Sequence, residues 1–237
     1  MKKTLFIILM IFSALLIPTF GNNLKVNKKD DIDFSKLTIS YLGDSITMDK
    51  NVNNYPTTLS EEMEFKLSFN YGISSSSIGY MPKCKCHSGA TTHDPFVFRY
   101  NKIAESDIIM VNGGINDWKL NIPLGYNFDK TSTTFYGALN NLVSGLKYLY
   151  PNSYIVFVTG FKYKDVYVND IGIDFKAYNN AIVEICEKNN IDYFDTYNEV
   201  EFDINKHTYD KIHPNDEFIS NIWVPEIIKY LKENYKA

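Results

Sequence analysis

The chain has 237 residues, of which 45% are hydrophobic and 22% charged, with a formal charge of −4; this is ordinary globular composition for a single core. Arg99 is the only arginine, the lysines are scattered among acids and asparagines as on a solvated surface, and no basic stripe is present. Nucleic acid and other polyanions are therefore not expected partners.

Residues 1–21, MKKTLFIILMIFSALLIPTFG, place two lysines before an uncharged apolar run that ends on small and turn-forming residues. This is the layout of a secretory signal peptide, with Thr19-Phe20-Gly21 as the expected cleavage site and a secreted or cell-surface location as its consequence. The alternative is an uncleaved anchor, since Thr4 to Phe20 approaches the short end of a membrane span; only then is membrane contact expected. Removing Lys2 and Lys3 leaves 22 basic residues against 28 acidic ones, a formal charge of −6. Asn22 to Ser35 is polar and reads as a flexible lead-in, so the domain is expected over 36–237.

From there short β-rich runs alternate with helical periodicity. Strands are expected at Leu37–Leu42, Lys66–Tyr71, Asp107–Asn112, Tyr154–Thr159 and Ile191–Thr196. A helix is expected over Ser132–Leu149, with Phe135, Leu139, Leu142, Leu146 and Leu149 on one face, another near Asp174–Asn189, and a last one from about Asp216 to Asn234, kinked at Pro225. Ser74–Arg99 has little periodicity and reads as a loop excursion. This alternation implies a three-layer, flavodoxin-like α/β fold with a five-stranded parallel sheet. Ile108-Ile-Met-Val111 and Ile155-Val-Phe-Val158 are apolar throughout, as strands buried on both faces require.

The three cysteines divide in two. Cys186 falls on an apolar helix face with Phe175, Tyr178, Ile182 and Ile185 and is expected in the core. Cys84-Lys-Cys86-His87, with His93 nearby, is too tightly spaced for ordinary zinc ligation; a loop disulfide or free thiols is the expectation, with no metal and no cofactor.

Ligands of such sheets bind beyond the carboxyl ends of the strands. Gly43-Asp44-Ser45 follows the first strand, Gly72 the second and Gly113-Gly114-Ile115-Asn116-Asp117 the third. A serine hydroxyl becomes a nucleophile when a base takes its proton, and the base needs an orienting acid. Of the four histidines only His213, in Asp210-Lys-Ile-His213-Pro214, has an acid three residues upstream and a proline just after it. One turn can then present both side chains together, with Asp210 holding Nδ1 and Nε2 facing a serine. On this motif alone a capped surface turn accounts for the same residues. Gly72 N–H and the Asn116 amide are suitable oxyanion donors by placement, although a strand-end turn and a self-bonded loop residue describe each better when it is taken alone.

In order and spacing, Gly43-Asp44-Ser45-Ile46-Thr47, Gly72, Gly114-Ile115-Asn116-Asp117 and Asp210-Lys211-Ile212-His213-Pro214 resemble the four blocks of SGNH (GDSL-type) hydrolases, over nearly all of the chain after Leu37. The resemblance implies Ser45 as nucleophile, His213 as general base and acid, and Asp210 as its orienting acid. It also implies an oxyanion hole from the Ser45 N–H, Gly72 N–H and Asn116 side chain, with Asp44 and Asp117 bracing the turns. There is no Gly-x-Ser-x-Gly elbow. The expected function is a serine esterase acting through an acyl-enzyme on short acetyl-type esters of a carbohydrate, with Trp118, and Tyr163 and Tyr167, as aromatic surfaces for the sugar. A lysophospholipase-type lipid esterase and a non-catalytic glycan-binding module on the same fold are the alternatives.

Overall fold

The computed structural model describes residues 32–48, 54–82, 94–163 and 168–236. The expected signal peptide and most of the lead-in, together with Cys84, Cys86, His87, His93 and Tyr167, lie outside the described residues.

Five parallel strands form the sheet: β1 (Thr38–Gly43), β2 (Leu67–Gly72), β3 (Ile108–Asn112), β4 (Tyr154–Val158) and β5 (Asp192–Phe194), in spatial order β2-β1-β3-β4-β5. Every residue of β3 is buried, and in β4 all but Tyr154 are, which is why their sequences are apolar without alternation. β2 is an edge strand with an exposed or half-buried face at every position. The other edge, β5, is shorter than the expected Ile191–Thr196: it pairs only with Val156–Val158, after which Asp195 and Thr196 turn into a short helix, α6 (Thr196–Glu199).

The connecting helices are α1 (Ser45–Met48), α2 (Tyr55–Glu62), α3 (Ile115–Lys119), α4 (Phe135–Leu149) and α5 (Phe175–Asn189); after β5 and α6 come α7 (Ile204–His207), α8 (Asp216–Phe218) and α9 (Val224–Asn234). α4 and α5 pack on each other, and α2 packs against α9, giving the three layers. Local chemistry sets the helix starts. Thr134 accepts from Gly137 N–H and Asp174 from Ala177 N–H, so α4 begins at Phe135 and not at Ser132. Phe135, Leu139, Leu142 and Leu146 are buried as the periodicity requires, but Leu149, the last residue of α4, is 41% exposed. Cys186 is buried in the core.

Two expectations are corrected. The lead-in ends before Ser35, because Asp33 caps a short 3-10 turn, Phe34–Lys36, and Phe34 is buried against Phe65 and Tyr235 at centroid distances of 5.9 and 5.6 Å. The last helix spans Asp216 to Asn234 as expected, but its irregular turn comes just before Pro225. Ile219–Trp223 forms a π turn between α8 and α9, closed by Val224 N–H donating to Ile219 O, and Pro225 then sits in the first turn of α9, where a missing N–H costs least. The wider turn delivers Trp223 into the core, 4.6 Å from both Tyr55 and Phe161 ring centroids, with its Nε1–H donating to Thr196 Oγ1. Among the described residues no helix is long and apolar enough to cross a membrane.

Candidate active site

The strand order reverses at β1: the chain runs from β1 outward to β2, then returns to place β3 on the other side of β1. The loops leaving β1 and β3 diverge there and open a crevice at their carboxyl ends. Ser45 leaves β1 and Asn116 leaves β3, so the fold brings to one place two segments far apart in sequence.

Asp44 builds the turn that presents Ser45. Its Oδ1 accepts from Ile46 N–H at 2.9 Å and its carbonyl from Met48 N–H at 2.9 Å, which starts α1 with Ser45 as its first residue. Asp44 is fully buried, and burial pushes its carboxyl up to about 6 against the pull of the Ile46 N–H and of the His213 and Arg99 charges.

The partner comes from the segment between α7 and α8. Asp210 Oδ1 accepts from both Ile212 N–H (3.0 Å) and His213 N–H (2.8 Å), folding the turn, while Asp210 Oδ2 lies 2.6 Å from His213 Nδ1. Lys211 takes a left-handed φ of 71° inside this turn, held by its N–H donating to Thr208 Oγ1 at 3.0 Å. His213 Nε2 is then 2.8 Å from Ser45 Oγ, a residue 168 positions away in sequence. Burial raises the Asp210 carboxyl, but the His213 backbone and ring bonds outweigh it and hold the acid below its ordinary value. A carboxylate, an imidazole and a hydroxyl thus stand in one hydrogen-bonded line, the arrangement that transfers a proton from the hydroxyl to a ring nitrogen. The other described histidine, His207, has its Nδ1 occupied by Asp203 N–H at 3.0 Å and its ring stacked on Phe218.

Across the crevice, Gly114 adopts φ 112°, a conformation that favours glycine, and caps α3 so that Asn116 points back toward β1. Asn116 Nδ2 donates to Asp44 Oδ2 at 3.2 Å and to Ser76 O at 3.1 Å, both at the long end of the hydrogen-bond range. Asp117, fully buried, accepts from Ile78 N–H (2.8 Å) and Gly79 N–H (2.7 Å) and so braces the loop after β2; burial pushes its carboxyl up to about 7 despite those bonds.

Gly72 does not fill the place expected of it. Its N–H donates to Asn70 Oδ1 at 2.8 Å and is therefore engaged within its own turn. A side chain there would meet Met48 backbone N at 2.3 Å, so glycine is needed for the close approach of β2 to α1. Ser76, whose carbonyl faces Asn116, lies four residues further on.

Arg99, singled out in the sequence only as a lone arginine, is a buried clamp behind this crevice, 5% exposed. Its guanidinium donates to Asp94 O (2.8 Å), Tyr71 O (2.5 Å), Gly43 O (2.6 Å) and Ser76 Oγ (3.1 Å), and stacks over Phe96. It ties the ends of β1 and β2 to the loop that faces Asn116. Burial lowers it to about 10, with Asp44 and Asp94 opposing, which leaves it charged at neutral pH. Arg99→Met should cost about 3 kcal/mol or more, because acceptors that the guanidinium served are left buried without donors. Arg99→Lys should recover only part of this, since a point charge cannot reproduce the planar fork. Denaturant midpoints of the three proteins test the order.

A cavity of about 660 Å³ lies against the start of α3 and the Asp210–His213 turn, lined in part by Ile115, Trp118, Tyr163, Phe175 and Ile212. Trp118 forms part of its wall, with Nε1–H donating to Ile173 O at 2.9 Å, and Tyr163 anchors the His213 turn by donating from its hydroxyl to Ile212 O at 3.2 Å. Among the described residues, no three His, Cys, Asp or Glu side chains gather as a metal-ligand set.

Residues 41–218 match the model of the GDSL-like lipase/acylhydrolase family. Among solved structures, the chain is similar to a Lactobacillus plantarum protein at 25% identity, with a TM-score of 0.75 over 86% of this chain and 100% of that one. It is also similar to a possible lipase from Chitinophaga pinensis (19%, TM-score 0.67, 84% and 98% covered). A carbohydrate acetylesterase family member from Sinorhizobium meliloti is similar at 14% identity (TM-score 0.55, 83% and 99% covered). No curated protein matches.

Proposed function

The chain belongs to the GDSL-like lipase/acylhydrolase family, and from that premise we propose that it is a serine esterase whose nucleophile is Ser45, with His213 as general base and acid and Asp210 orienting the imidazole. The observation that carries the reading is the continuous line Asp210 Oδ2, His213 Nδ1, His213 Nε2, Ser45 Oγ, with separations of 2.6 and 2.8 Å at its two hydrogen bonds. In the first half-reaction Ser45 Oγ attacks the ester carbonyl while its proton passes to His213 Nε2, and the imidazolium then protonates the departing alcohol. In the second, His213 takes a proton from water, the hydroxide attacks the acyl-serine, and the proton returns to Oγ as the acid leaves.

The Ser45 N–H, first in its helix and so without an intrahelical acceptor, and the Asn116 amide are the donors for the oxyanion. The long Asn116 bonds are the ones that an oxyanion would replace. Asn116→Ala should lower kcat by about 10² to 10³, the usual effect of deleting one such donor, with a much smaller change in KM. Steady-state kinetics on a nitrophenyl ester read both.

We propose short acetyl-type esters on a carbohydrate as the substrates, a reading supported by the aromatic wall of Trp118 and Tyr163 against the His213 turn and by one fold neighbour described as a carbohydrate acetylesterase family member. Export is proposed on the layout of residues 1–21. The test is labelling by a fluorophosphonate, followed by nitrophenyl esters of increasing chain length. Labelling with a sharp preference for acetate supports the reading; rates that rise with chain length replace it with a lipid-directed esterase, and absence of labelling and turnover overturns it.

A further inference from the structure

Four of the lysines that look scattered in sequence are gathered in space. Lys119 ends α3, Lys162 follows β4, Lys176 lies in α5 and Lys211 lies within the Asp210–His213 turn, yet all four line one cavity against that turn and stay exposed. The lining carries one acid against these four cations, Asp174, whose Oδ1 caps α5 by accepting from Ala177 N–H at 2.8 Å. In a chain with more acids than bases, four cations converging from separate segments repel one another and destabilise the fold unless something offsets them.

Nothing among the described residues does so. Among the described residues no carboxylate lies within ion-pair distance of any of the four; the Lys211 ammonium donates only to the neutral Asn205 Oδ1. Balancing the catalytic acids is not a sufficient reason either. Lys119 feels the charges of Asp210 and Asp44, but Asp210 draws its own stabilisation from His213 and Ile212.

The walls between the lysines are aromatic, contributed by Trp118, Tyr163, Phe175 and Tyr197. Such a surface suits a ring, and cations above a low-dielectric wall attract an anion more strongly than they would in open solvent. An acetyl group is far too small to occupy 660 Å³, so in the esterase reading above, on which this inference rests, the cavity belongs to the alcohol half of the ester. We propose that this alcohol half carries an anionic group, as a sugar acid does, and that Lys119, Lys162, Lys176 and Lys211 select for it.

The experiment compares 4-carboxyphenyl acetate with its neutral methyl ester, each rate divided by the ester's own hydroxide-catalysed rate. In the wild-type enzyme at low salt kcat/KM should favour the charged ester by about tenfold or more, and the preference should shrink as salt is added. The ratio should fall toward 1 in Lys119→Met/Lys162→Met; because both esters are measured on the same preparation, a loss of folded protein cancels. A wild-type ratio of 1 or below, or a preference that persists in the lysine variant, overturns the inference while leaving the esterase standing. If neither ester is hydrolysed, the esterase reading fails, and calorimetric titration of 4-hydroxybenzoate decides the anion site separately. Binding to the wild type and to Ser45→Ala that weakens tenfold in the lysine variant supports the site, and no binding, or binding the variant leaves unaltered, removes it.

Discussion

Ser45→Ala should lower kcat on an acetate ester by about 10⁶-fold, to the level that binding and the remaining oxyanion donors sustain alone. The whole effect falls on chemistry because the residue's structural work is done by others. Asp44 caps the turn, and the Met48 N–H to Asp44 O bond starts the helix, so alanine at 45 keeps the backbone and the N–H in place and removes only Oγ. The circular dichroism spectrum and denaturant midpoint should stay close to wild type, and fluorophosphonate labelling should disappear. Turnover at the wild-type rate by this variant would refute the assignment outright.

Asp210→Asn should lower kcat by about 10⁴, and by a route that loss of a charge alone does not supply. Asp210 Oδ1 already serves two backbone donors, Ile212 N–H and His213 N–H. An asparagine must point its one oxygen at that pair or at the ring. Turning its NH₂ toward the backbone would leave two donors facing donors, at about 1 to 3 kcal/mol for each one unpaired, so the oxygen stays with the turn. The NH₂ then faces His213 Nδ1 at the former carboxylate position, and Nδ1 can only accept. The ring proton moves to Nε2, which now donates to Ser45 Oγ instead of receiving from it. Kinetics should show the loss in kcat, and ¹⁵N NMR of the imidazole should show the exchanged tautomer; a wild-type tautomer with a small rate loss would contradict the argument. Asp210 also contributes to stability by the same bonds. Its carboxyl lies below its unfolded value, so that contribution is complete above the ordinary carboxylate range and is withdrawn as pH falls through the folded-state value.

What could be read in the sequence was whatever is decided over a few residues. β3 and β4 were legible because a strand buried on both faces must be apolar throughout, and the Asp210–His213 turn because acid, ring and proline lie within five positions. The approach of Ser45 to His213 was legible only as a conjunction of motifs, not from either segment. Features that depend on distant neighbours were missed. Gly72 is required by the backbone of Met48, not by an oxyanion, and no local pattern distinguishes those two demands. Phe34 looked like part of a polar lead-in because Phe65 and Tyr235, which bury it, are remote in sequence. The single signal for Arg99 was its setting among Phe96, Phe98 and Tyr100, an apolar context in which a charged residue needs a built partner.

The π turn at Ile219–Trp223 has a meaning in terms of chain length. A π turn is an α-helix that has absorbed one extra residue, and here the buried stripe steps by five, from Phe218 and Ile219 to Trp223 and Val224, before returning to α spacing at Ile227 and Leu231. The helix that follows His213 thus carries an insertion without changing which face it buries. In an alignment of relatives the segment between Asp216 and Val224 is where a one-residue gap belongs, and chains that are one residue shorter there have an unbroken α-helix in which a proline at the position of Pro225 would collide with the preceding turn.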